Sequence, residues 1–148
     1  MSRFSWAILW VSSLAAALPL SAATITVNTT ADPGVAGNCS LRAAIAAANA
    51  NAPVNACGSG SGTDTINFAI TPLDGSVKTI TLAAATPLPD ITSVVNINGY
   101  SQNGATANTL ASGSNAVPKV VLNGLNAGGS GLVLQNAASG SSVRGLVI

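Results

Sequence analysis

From residue 24 onward, hydrophobic and polar positions alternate in short runs separated by glycine, proline, asparagine and serine. Thr24-Ile25-Thr26-Val27-Asn28 has the period of two that marks a half-buried strand, and Asp32-Pro33-Gly34 follows as a turn signal. One segment departs from this rhythm. Leu41, Ala44, Ile45 and Ala48 recur at the spacing of a single helical face, and Ser40, directly before them, is a favoured N-cap residue. The helix is expected to end in the region 49–55, which contains Pro53. Gly58-Ser59-Gly60-Ser61-Gly62 reads as a flexible connector, and no helical period returns after it. The rest of the chain predicts strands over 65–70, 78–82, 94–98, 119–122, 131–134 and 143–148. Gly131-Leu132-Val133-Leu134 and Gly145-Leu146-Val147-Ile148 are near copies, a weak sign of internal repetition.

The segment before residue 24 has a different character. Arg3 supplies a positive start, residues 7–20 are apolar apart from Ser12 and Ser13, and Ser21-Ala22-Ala23 places small residues where a signal peptidase reads them. This predicts an export signal over 1–23, cut between Ala23 and Thr24. The apolar run is shorter than the ~20 residues a spanning helix needs, so no membrane span is expected once the signal is removed. No cysteine follows the run directly, which argues against a lipid anchor.

Removing the signal changes the charge balance. Arg42, Lys78, Lys119 and Arg144 remain against Asp32, Asp64, Asp74 and Asp90, for a net charge of zero. No basic patch exists to hold phosphates, which excludes nucleic acid as a partner class. Asn, Ser and Thr supply the polar surface that charge usually provides. Only Phe68 and Tyr100 remain as aromatic residues, and the chain has no histidine. Cys39 and Cys57 both fall in the exported part, where an even pair most simply forms a disulfide. Metal ligation wants more ligands than two, and a nucleophilic cysteine wants a histidine base. Closing so short a loop is worth about 3 kcal/mol in the chain-entropy description.

Cys39-Ser40-Leu41-Arg42-Ala43-Ala44-Ile45, with Ala48-Asn49 behind it, resembles the Cys-Ser-Leu-Arg-Glu-Ala-Ile (CSLREA-type) motif that opens many bacterial exported right-handed parallel β-helix proteins. Asp64-Thr65-Ile66-Asn67-Phe68 is similar to that family's first strand. Leu88-Pro89-Asp90-Ile91-Thr92, Ile97-Asn98-Gly99-Tyr100-Ser101-Gln102 and Val121-Leu122-Asn123-Gly124 follow in its usual order. The stretch from Gly131-Leu132-Val133-Leu134 to Val143-Arg144-Gly145-Leu146-Val147-Ile148 resembles an opening coil.

The resemblance implies an all-β fold, the N-terminal part of a right-handed parallel β-helix (a solenoid) capped by one short α-helix. Residues 24–63 would form a first strand and a disulfide-tied cap built on Ser40, Leu41, Arg42 and Ile45, and 64–148 the first coils. Ala43 departs from the motif, where Glu or Gln would complete a capping box, at a cost of up to ~1 kcal/mol. Asn67, Asn96, Asn98, Asn123 and Asn136 read either as turn residues between strands or as solvated loop residues. Only about two to three coils fit in this length. An open last coil at 146–148 is expected to favour self-association, and the chain is read as the front of a longer protein.

Candidate chemistry is sparse. Parallel β-helix enzymes of the pectate lyase and polygalacturonase kinds use clustered Asp, calcium and basic residues. Here the four Asp have no period, and there is no Glu or His for acid–base work. Asp64 and Asp90 read as turn or cap residues, and Arg42 and Arg144 as structural or surface groups. The Gly-rich stretches lack the Asp of a calcium-binding repeat and the Lys-Ser/Thr of a phosphate loop. No catalytic residue, metal ligand or cofactor is therefore assigned. The expected function is a non-catalytic, secreted or cell-surface scaffold for adhesion or binding, with a surface or a polysaccharide as ligand. The alternative is the front of a polysaccharide lyase or glycoside hydrolase whose catalytic coils lie further on.

Overall fold

A computed structural model describes residues 21–124 and 127–148 of the chain; the apolar part of the expected export signal, residues 1–20, lies outside the described residues. The elements in order are β1 (Thr24–Val27), α1 (Leu41–Ala50), β2 (Asp64–Phe68), β3 (Lys78–Thr81), β4 (Val95–Asn98), β5 (Val120–Asn123), β6 (Ser142–Arg144) and β7 (Leu146–Val147). Single 3-10 turns occur at Gly99–Ser101 and Asn136–Ala138.

The strands form two sheets, one ordered β1-β2-β4-β6 and the other β3-β5-β7, and every pairing is parallel. From β2 onward the chain alternates between the two sheets. Parallel neighbours require a long return connection; here the return from β1 to β2 carries α1, and each later one carries a strand of the other sheet. Alternation of side chains decides what each face carries. In the first sheet Ile25, Ile66 and Ile97 stand in register, with Val27 opposite Phe68. In the second, Ile80 stands opposite Leu122. All of these are buried in one core, and each aliphatic side chain taken from water contributes about 1.5–3 kcal/mol.

The helix forms because its caps and its periodicity agree. Ser40 is extended, its Oγ accepts the Ala43 N–H at 3.2 Å, and the same hydroxyl donates to the Pro33 carbonyl. Asn51 ends the helix in the left-handed conformation (φ 49°), where Asn is tolerated. Leu41, Ala43, Ala44, Ile45, Ala47 and Ala48 are buried, and the helix packs on β1 and β2. So many alanines allow close approach of helix to sheet.

This arrangement overturns the expected all-β right-handed parallel β-helix. The described chain is a mixed α/β fold of two small all-parallel sheets and one helix whose face belongs to the common core. The expected strand over 131–134, which a solenoid would need as a regular element, contributes only a single parallel bridge between Leu134 and Ile91. The apolar run 143–148 is also not one strand. Gly145, at φ +69°, splits it into β6 in the first sheet and β7 in the second. A Cβ there would lie 2.6 Å from the Tyr100 nitrogen, so both the conformation and the space call for glycine. Among the described residues no helix is long and apolar enough to cross a membrane.

Candidate functional site

The outward face of the first sheet carries an ordered polar strip. Register places Thr24, Thr65, Asn96 and Ser142 in one row, and Thr26, Asn67, Asn98 and Arg144 in the next. In β1, β2 and β4 each alternates with a core residue, so those side chains point away from the core, while β6 is exposed along its length. Asn98 Nδ2 donates to Asn67 Oδ1 at 3.4 Å, Ser142 Oγ to Asn96 Oδ1 at 2.7 Å and Arg144 Nε to Asn98 Oδ1 at 3.2 Å. Strands lie ~4.8 Å apart and alternate residues ~6.6 Å apart, so the strip is a regular lattice of amide and hydroxyl groups. Arg144 is its only charge. An open depression of about 490 Å³, lined by Gln135, Asn136, Ser139 and Ser141 among others, adjoins it through the Ser141–Ser142 step.

This strip corrects the reading of the asparagines. Asn67, Asn96, Asn98 and Asn123 lie in strands, and Asn136 in a 3-10 turn; among the described residues the left-handed asparagines are Asn51 and Asn55. The signal in the sequence was the shared parity of Thr65 and Asn67 with Asn96 and Asn98, which matters only once β2 and β4 are known to be neighbours.

The four carboxylates are dispersed. Asp32, with a side chain 1% exposed, takes a two-point contact from Arg42 Nε and Nη2, each at 2.7 Å, and accepts the Ala83 N–H at 2.9 Å. Burial acts to raise its pKa, but the Arg42 hydrogen bonds, the Ala83 N–H and the Arg42 charge outweigh it. The carboxyl therefore titrates below its ordinary 3.8. Asp74, on the surface, is held well below the carboxylate range by the Ser76 hydroxyl, by Lys78 and by the Ser76 N–H. Asp90 accepts from Gln135 Nε2 at 2.6 Å. Asp64 is wholly buried; its Oδ1 accepts the N–H groups of Ser61 (2.7 Å) and Ala23 (3.3 Å), while Oδ2 has no hydrogen-bond partner. Among the described residues no three His, Cys, Asp or Glu side chains gather as a metal site.

The residues singled out around the cap converge at one end of the core. Cys39 and Cys57 form a disulfide with Cα atoms 4.7 Å apart, closing a separation of 18 residues. Leu41 and Ile45 face inward. Arg42 reaches across to the Thr86 and Pro87 carbonyls as well as to Asp32, which ties the helix to the loop after β3. Asn28 bonds both the N–H and the carbonyl of Cys39, tying the end of β1 to the helix start. Ala23 and Thr24 lie where the chain enters β1, and the Ala23 carbonyl accepts the Thr65 N–H at 2.8 Å. Sequence reasoning passed over the Arg42–Asp32 pair because the ten intervening residues contain a turn and a cap rather than a helical i,i+4 step.

No family model matches the chain, and neither a characterised protein nor a solved structure matches it.

Proposed function

We propose that this protein is an exported, non-catalytic binding scaffold that holds a hydroxyl-rich polymer, a polysaccharide, along the strip of Thr65, Asn67, Asn96 and Asn98. The observation that carries this reading is the registered array of amides and hydroxyls on a sheet whose other face is locked in the core. Amides both donate and accept, as do sugar hydroxyls, so a repeating polar lattice complements a repeating polyol without needing charge. Cys39 to Ile45 serve in this reading as a CSLREA-type cap. The disulfide, which persists in oxidising compartments, supports a secreted or cell-surface setting.

The test is binding of the purified protein to an array of immobilised neutral and acidic polysaccharides, repeated with the double variant Asn67→Ala/Asn98→Ala. Retention of at least one polysaccharide by the wild type, weakened about tenfold in the variant, is expected, a loss of roughly 1.4 kcal/mol. Absence of binding across the array, or binding indifferent to the double variant, overturns the proposal.

A further inference from the structure

Among the described residues, Asp64 is the one with a buried side-chain oxygen that has no hydrogen-bond partner. Its Oδ2 has no partner, and it sits in a poor place for an uncompensated negative charge. A Cβ built on Gly60 would collide with Oδ2 and would lie 2.9 Å from the Ala47 carbonyl oxygen. The carboxylate therefore adjoins the last turn of α1, the negative end of the helix dipole. A buried charge in such a position calls for a cation. Of the four side-chain cations among the described residues, Lys78 is engaged with Asp74, Arg42 with Asp32 and Arg144 with Asn98, and Lys119 stands directly before β5 in the other sheet. The atom already in reach is the Ala23 nitrogen, 3.3 Å from Oδ1. As an amide it offers one proton; as a free amino terminus it would offer three, and a positive charge.

We propose that maturation cuts the bond between Ala22 and Ala23, and that the new α-ammonium of Ala23 is the buried counter-ion of Asp64. This rests on the reading that the protein is exported, and it moves the cut one bond ahead of the Ala23–Thr24 site expected from small residues alone. A cut after Ala23 would strip Asp64 of one donor and Thr65 of the carbonyl that accepts its N–H at 2.8 Å. A cut after Ala22 keeps both and supplies the missing charge, while Ser61, whose hydroxyl contacts the Ser21 carbonyl, is left to water. Ala22 provides the small residue before the bond, with Leu20 two places further back. Peptidase action precedes folding, so the geometry identifies the product that folds with a positive charge beside the Asp64 carboxylate.

The experiment is to express the full chain in an export-competent bacterium and measure the intact mass of the protein recovered outside the cytoplasm. The amino groups are then acetylated with an N-hydroxysuccinimide ester near neutral pH, natively and in guanidinium. A mass beginning at Ala23 is expected, with the α-amine modified about tenfold more slowly in the native protein than in the denatured one. In Asp64→Asn the native protection should disappear. A mass beginning at Thr24 overturns the inference and leaves the export reading standing. An uncut chain retained in the cytoplasm overturns both. An α-amine at Ala23 that reacts natively as fast as when denatured overturns the ion pair.

Discussion

The end of the molecule around α1 and the end around β6 and β7 are held by different means. The first concentrates specific ties: the Cys39–Cys57 disulfide, the Arg42–Asp32 pair with its carbonyl contacts, and the Asn28 bonds to Cys39. The second relies on short backbone ladders and on the exposed Ser142–Asn96 and Arg144–Asn98 hydrogen bonds. β6 and β7 are three and two residues long, and Val143, Val147 and Ile148 are exposed. Between the ends, the loop 103–117 is exposed for most of its length but is ordered by its own asparagines. Asn108 Oδ1 accepts the N–H groups of Leu110 and Asn115, and Asn115 Oδ1 accepts that of Thr109. A chain with few charges has placed an arginine, a buried aspartate and both cysteines where a helix must be fixed onto a sheet. It has left its regular sheet face to uncharged polar side chains.

Arg42→Ala strikes the tied end hardest. It leaves the Asp32 carboxylate buried without its partner, so a loss of about 3–5 kcal/mol is expected in urea unfolding. A loss near that of a surface ion pair, under ~1 kcal/mol, would mean that the two ends are held equally. Replacing both cysteines by serine should cost about 3 kcal/mol, and adding reductant to the wild type should reproduce most of that effect in a thermal melt.

Acid should act on the same end. The folded pKa of Asp32 is depressed, so its contribution to stability is fully present above the ordinary value of 3.8 and is lost as pH falls through the lower folded value. Melting curves should therefore steepen their decline below about pH 4, and Asp32→Asn should flatten that limb. Asp74 is depressed as well but lies on the surface, so 0.5 M salt should mute its share and leave that of Asp32. The smallest effect belongs to the strip. Asn67→Ala and Asn98→Ala should each change stability by no more than about 0.5 kcal/mol, so any large change in ligand retention reports recognition rather than unfolding.

The helix and most strands were legible because their signals are local. Ser40 precedes a clean helical period, 78–82 and 94–98 enclose the strands that form there, and 119–122 starts and stops one residue ahead of β5. The misses share one cause, dependence on a distant partner. The run 131–134 is as apolar as any strand, yet its only bridge is to Ile91. The run 143–148 looks continuous until Tyr100 and Gly145 meet. The asparagines read as turn or loop formers because nothing near them in sequence reveals that Asn67 and Asn98 are side by side. Asp64 looked like a turn residue, and the Ser61 N–H bond has that local character. Its unpartnered oxygen becomes visible only with Gly60 and the end of α1 around it.

The alternation of the chain between two sheets also bears on how fast it folds. Residues that touch across the strip are 31 and 46 positions apart, so each new ladder must close a long loop before any contact compensates for the lost entropy. Domains dominated by such distant pairings fold in about milliseconds to seconds, far slower than helical bundles. The helix and its cystine span a short stretch by contrast, and are suited to form first as the seed on which the later strands are laid.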